Sequence, residues 1–344
     1  MDMREIFATL MGNGYIKSTL AADLVNGKAA HGYILAGPAG CGKKTAARLI
    51  AASSVCENRK NTGFPLPCGT CPNCHRILKD ISADVLWTSN GDKATIGVEQ
   101  IRQIRQNLYV TPNDSERKFY IIENAHTMTT QAQNALLLSL EEPPSFVTFL
   151  LLTEDPASLL ETIRSRAPVI QMELFSPGTV LEWVKKQKLP SSVLSDNDRL
   201  TGAAMLCGGS LGQAMMLLTE DEAKSEPLRM RALALRILEG IFKMRTSELL
   251  GMMNGEMPGN RESAVMVFTM MQSALRDLIA AKRRADVSGQ FLLGTEDVCR
   301  YAGKYSLSRL LALYGCCQTA LNRLEANGSI APCVTGFLLS ANRI

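Results

Sequence analysis

Long apolar runs are missing from this chain of 344 residues. No uninterrupted apolar stretch approaches the ~18 residues that a bilayer span requires. The opening Met1-Asp2-Met3-Arg4-Glu5 lacks a basic segment followed by an apolar one, so no secretory signal is expected. A strong charge imbalance is missing too. The formal net charge of +4 is compatible with DNA nearby but does not demand it. The one tight basic cluster, Lys282-Arg283-Arg284, reads as a solvated helix end. Internal repeats and low-complexity segments are absent, and 46% apolar residues exclude a disordered tail. The expectation is a soluble cytoplasmic protein of two or three domains, with no membrane partner.

What is present falls into two regimes. Up to about residue 175, short β-rich runs alternate with helical patterns, the signature of a mostly parallel sheet covered by helices. The expected core strands are Gly32–Ala36, Asp84–Trp87, Phe119–Glu123, Thr148–Leu152 and Val169–Met172. Helical patterns between them include Thr45–Ser54, Val98–Leu108, Thr130–Glu141 and Ala157–Ile163, and Pro143-Pro144 closes the third. From Ser176 onward no strand is expected. Residues 176–218 read as a small helical unit ending near the glycine-rich Gly208-Gly209-Ser210-Leu211-Gly212. Residues 219–344 carry long helical patterns, among them Leu228–Met244, Glu262–Arg284 and Ser306–Glu325.

The strand ending at Ala36 runs into Gly37-Pro38-Ala39-Gly40-Cys41-Gly42-Lys43, a G-x-x-x-x-G-K phosphate loop between a strand and a helix. Gly37, Gly40 and Gly42 let the backbone curl into a cradle of amide donors, and Lys43 reaches toward the β- and γ-phosphates. A working loop continues with Ser or Thr, whose hydroxyl binds Mg²⁺. Here that position is Lys44, and an ammonium repels a cation at close range. Thr45 does not replace it, being turned about 100° around the helix.

The strand Phe119-Tyr120-Ile121-Ile122 ends in Glu123-Asn124. Glu123 retains a carboxylate suited to Mg²⁺, but the amide of Asn124 cannot take a proton from water. A phosphate-loop site that lacks a positioned general base is typically about 10²–10⁴ slower. His126 nearby reads as structural. Thr153, just past the fourth strand, completes the degenerate nucleotide-binding set within this half, and ATP binding is in doubt.

Four of the ten cysteines cluster as C-x11-C-x2-C-x2-C: Cys56, Cys68, Cys71 and Cys74. Four thiolates at this spacing close a tetrahedral, structural Zn²⁺ site. The string Cys71-Pro72-Asn73-Cys74-His75 also fits haem attachment, which would require export, and the paired C-x-x-C motifs fit redox chemistry without its usual context. Zinc uses all four thiols.

These motifs carry a family resemblance. The stretch Met11-Gly12-Asn13 through His31-Gly32-Tyr33 to Lys43 resembles the opening of the AAA+ subunits of bacterial DNA polymerase III clamp loaders. Asn134-Ala135-Leu136-Leu137-Leu138-Ser139-Leu140-Glu141-Glu142-Pro143-Pro144 is similar to that family's N-A-L-L-K-x-L-E-E-P-P segment. Thr162-Ile163-Arg164-Ser165-Arg166-Ala167 resembles its Ser-Arg-Cys motif, with Ala167 in place of the cysteine. The resemblance implies an α/β P-loop AAA+ core (1–175) with a zinc insertion (56–74), a helical lid (176–218) and an all-α collar (219–344). It also implies that Arg166 is an arginine finger offered to a neighbour's ATP site. Gln213 stands where the gamma/tau motor subunits have a sensor arginine. Lys44, Asn124 and Gln213 together match the non-hydrolysing delta-prime type. The implied partners are delta and gamma/tau subunits, and through the complex the sliding clamp and primed DNA.

Overall fold

The computed structural model describes residues 6–26, 30–61, 63–91, 93–219, 225–283 and 303–342. The chain forms two compact units, residues 1–173 and 174–344.

The first unit is built on a five-stranded parallel sheet. Its strands are β1 (Gly32–Ala36), β2 (Val85–Thr88), β3 (Lys118–Ile122), β4 (Val147–Thr153) and β5 (Val169–Gln171), in spatial order β2-β3-β4-β1-β5. Parallel neighbours need crossovers, and helices on both faces supply them. Alternate residues therefore feed two cores. Ile34, Tyr120, Ile122, Phe149 and Leu151 face Ile101, Ile104, Leu136 and Ile163 on one side. Tyr33, Leu35, Ile121, Leu150 and Leu152 face Ile16, Leu20, Ala47 and Ile50 on the other. The covering helices are α1 (Gly14–Val25), α2 (Lys43–Ser54), α3 (Pro72–Leu78), α4 (Val98–Gln106), α5 (Thr130–Glu141) and α6 (Glu161–Arg164). Thr129 caps α5 by accepting from the Ala132 amide at 3.2 Å.

One expected helix is corrected. Ala157–Ile163 is not continuous: a 3₁₀ turn, Pro156–Ser158, is followed by a break and then by α6. The buried Gln133 side chain causes the break. Its Oε1 accepts from the Leu160 amide at 2.8 Å, and its Nε2 donates to the Ser158 carbonyl at 3.2 Å. The backbone groups that a helix would pair internally are thus taken by a side chain.

Asp84, fully buried ahead of β2, ties the sheet to the loop that enters β3. Its carboxylate accepts from the amides of Asn113, Asp114 and Ser115 at 2.7, 2.8 and 2.9 Å. Asp84→Ala orphans all three donors, so a loss of about 3 kcal/mol is expected in urea denaturation. A change indistinguishable from zero would mean that water or the loop satisfies them instead.

Among the described residues the regular elements of the second unit are all helices. One buried cluster joins Val180, Val184, Leu200, Ala203, Ala214 and Leu217 from the helices between Pro177 and Thr219. Another joins Ile237, Met253, Phe268, Leu275, Leu313 and Phe337 from Glu226–Lys243, Thr246–Glu256, Arg261–Lys282, Leu307–Glu325 and Ile330–Ala341. Arg261–Lys282 is long and apolar enough by composition to cross a membrane, with a mean hydropathy of 1.3. Its apolar residues belong to this helical core, with Met270 and Met271 buried among them, and Asp277 is buried along the same helix. Arg284, at the end of the basic cluster, lies outside the described residues.

Candidate functional site

β1 delivers the chain into the phosphate loop, and the Gly37 amide donates to the Thr153 carbonyl at 3.1 Å. Glycine is required here for two different reasons. Gly40 and Gly42 adopt φ of 71° and 98°, the left-handed region that side chains resist. A Cβ on Gly37 would lie 2.8 Å from Cys41 Sγ and 3.0 Å from Met172 Cβ. Gly42 then opens α2, whose N-terminus adds partial positive charge to the loop. Lys43 folds back over this cradle, its Nζ donating to the carbonyls of Pro38, at 2.8 Å, and Gly37. Burial raises the Cys41 thiol despite the nearby Lys43, which suits a small packed residue rather than a nucleophile.

The next side chain decides the chemistry. Lys44 Nζ lies 2.6 Å from Glu123 Oε2, joining the start of α2 to the end of β3. The ammonium is thus paired with the carboxylate that a divalent cation would need, and from the position that supplies a hydroxyl ligand in a working loop. These residues do not fit Mg²⁺.

The other sequence-derived residues divide. Asn124 sits beside Glu123 with φ of 49° and donates from Nδ2 to Asn90 Oδ1 at 3.1 Å, an amide pair and not a base. Thr153 is fully buried, and its hydroxyl donates to the Asp155 carbonyl at 2.9 Å. His126 Nδ1 accepts from the Glu154 amide at 3.3 Å, a structural contact. Gln213 belongs to the second unit, in the helix Leu211–Thr219. Arg166 follows α6, donating to Glu141 Oε1 at 3.0 Å and to the Thr162 carbonyl at 2.9 Å. Sequence reasoning found the residues but missed the partners Glu123 for Lys44, Asn90 for Asn124 and Glu141 for Arg166. The one available hint was that Glu141 lies in the same E-E-P-P segment that carries the resemblance.

The cysteines converge. The thiols of Cys56, Cys68, Cys71 and Cys74 all lie within 4.8 Å of one another and all four residues are buried. Cys71 caps α3, its Sγ accepting from the Cys74 amide at 3.5 Å, so the helix start holds two of the four thiols in place. The Cys71 amide points at Cys68 Sγ at 3.4 Å, and Thr70 Oγ1 at 3.5 Å. Burial raises the Cys68 thiol, but hydrogen bonds from Asn58, Cys71 and Thr70 outweigh it and bring it down to about 5. Burial raises Cys56 and Cys74. Several thiolates cannot share such a pocket without a cation to neutralise them, and this donor set can hold a metal ion.

A parallel sheet feeding a phosphate loop, with an acidic strand end beside it, defines a P-loop nucleotide-site architecture. Residues 12–176 match the family described as "DNA polymerase III, delta subunit". The chain is 34% identical over 212 residues to DNA polymerase III subunit gamma of Buchnera aphidicola subsp. Schizaphis graminum, covering 62% of this chain and 57% of that one. It is 36% identical over 223 residues to DNA polymerase III subunit tau of Escherichia coli K12, covering 64% and 34%. A gamma subunit-related protein of Thermotoga maritima aligns structurally over 94% of this chain and 98% of that one, at 18% identity and a TM-score of 0.41. Residues 12–176 thus resemble a DNA polymerase III delta-subunit domain, and the chain is similar in sequence to gamma and tau subunits over about three fifths of its length. It spans 57% and 34% of the two relatives' lengths.

Proposed function

We propose that this chain is a delta-prime type subunit of a DNA polymerase III clamp loader, with no ATPase activity of its own. In this reading the first unit is an AAA+ module. The second is a helical lid (176–218) followed by a collar (219–344) that joins it to delta and gamma/tau subunits in the cytoplasm. The assembly opens the sliding clamp and places it on primed DNA. The cysteine centre holds one structural Zn²⁺, and Arg166 is offered to the ATP site of an adjacent motor subunit.

The Lys44–Glu123 ion pair carries this reading, because it removes the Mg²⁺ site at both of its protein ligands. Asn124 removes the base, and Gln213 stands in for the sensor arginine. The purified chain is expected to release no phosphate from ATP above background, with or without Mg²⁺. The second reading, a gamma/tau-like motor ATPase, is favoured by the names of the sequence relatives. Turnover that disappears in a Lys43→Ala variant would establish that reading and reject the first.

A further inference from the structure

We infer that the phosphate loop binds the polyphosphate chain of a nucleotide without a divalent cation, Lys44 supplying the positive charge that Mg²⁺ supplies elsewhere. The inference rests on the non-hydrolytic reading of the same site and adds a ligand to it.

The loop keeps what recognises phosphate. Gly40 and Gly42 hold the left-handed turns, α2 presents its N-terminus, and Lys43 stands at its usual position. What it lacks is the metal site, and the disagreement is confined to Lys44 and Glu123. An ammonium carries three donors, and Glu123 engages one across 2.6 Å. The Lys44 side chain remains 57% exposed, so its other donors are open to a ligand, while that of Glu123 is only 17% exposed. The pair thus neutralises the Glu123 carboxylate and leaves a cation facing outward.

Lys43 needs only a side-chain rearrangement. Its bonds to the Pro38 and Gly37 carbonyls are to neutral acceptors, and exchanging them for phosphate oxygens pairs the ammonium with an anionic acceptor as well. A metal-complexed nucleotide meets the opposite situation, because its cation would face the Lys44 ammonium while Glu123 is already paired with that ammonium. Divalent metal should therefore weaken binding, the reverse of its effect on a working loop.

The experiment is calorimetric titration of the full chain with ADP, once in EDTA and once in excess Mg²⁺. Binding is expected in EDTA and should be about tenfold weaker with Mg²⁺. Inorganic tripolyphosphate should displace ADP, because the phosphate chain is the recognised part. Lys43→Ala should abolish binding in both buffers. Lys44→Thr, at an exposed position that leaves the fold intact, should lose the EDTA binding and gain a requirement for Mg²⁺, since a hydroxyl and a freed Glu123 restore the ligands. Absence of heat at millimolar ADP in either buffer would overturn the inference. So would binding that requires Mg²⁺ in the unmodified chain, tripolyphosphate that fails to compete, or a Lys44→Thr variant that binds in EDTA as its parent does. Absence of binding would overturn the inference and leave the non-hydrolytic reading standing, whereas ATP turnover by the purified chain would overturn that reading, so the two failures are told apart.

Discussion

Arg166→Ala is expected to leave this chain folded and assembled while slowing ATP turnover and clamp loading by the reconstituted complex. The side chain is 36% exposed and its partner Glu141 is 45% exposed. Exposed pairs of this kind contribute about 0–1 kcal/mol, so the variant should melt close to its parent. The function proposed for Arg166 is far more sensitive. An arginine supplied in trans stabilises charge on the transferring phosphoryl group and is typically worth about 10³–10⁵ in rate at the site it serves. Only the site next to this subunit is affected, so the bulk rate falls less than that, and loading falls further if the sites fire together. Lysine should not restore the rate, because it lacks the planar fork of donors that matches phosphate oxygens. The measurement is DNA-stimulated turnover and loading after assembly has been verified by size. Kinetics equal to the parent's in both assays would reduce Arg166 to its contacts with Glu141 and Thr162.

Cys74→Ser is expected to abolish metal binding and unfold the segment between α2 and β2. Cys74 is fully buried, in a cluster with Ala51 and Ala52 of α2, Leu66, Ile77 and Phe119 of β3. Structural zinc sites of this donor type bind with about 10–16 kcal/mol of apparent free energy, which is folding free energy for the small knuckle they organise. Removing one thiolate leaves an incomplete ligand set around buried sulfurs that repel one another once ionised. The parent should carry one zinc per chain by elemental analysis, and the variant none. Limited proteolysis should open the variant between α2 and β2 while the rest of the sheet stays protected. Prolonged chelation of the parent should produce the same cleavage. A variant that retains zinc and resists the protease as its parent does would remove the metal from the account of this fold.

The phosphate loop, the cysteine centre and the strands were legible because each is written in neighbouring residues. Seven consecutive positions from Gly37 to Lys43 specify a turn that glycine alone accepts, and strand burial on both faces leaves unbroken apolar runs such as Tyr120-Ile121-Ile122. The helix expected at Ala157–Ile163 was misread for the opposite reason. Nothing within that stretch announces that Gln133, on another helix, takes its backbone groups.

By itself the sequence determined the parallel α/β architecture of the first unit, the second lysine that follows the phosphate-loop lysine, and the four thiols suited to a metal. These follow from local periodicity, from backbone preferences of single residues and from the fixed chemistry of side chains. Only the tertiary structure decided which groups neutralise one another. Lys44 meets Glu123 because the order β3-β4-β1 sets the end of β3 near the start of α2, and Arg166 meets Glu141 because α6 packs against α5. Asp84 becomes an acceptor for three amides only once the loop into β3 is closed. Such pairings span strands and helices distant in sequence, and their energies depend on separations of a few ångströms that no local pattern encodes.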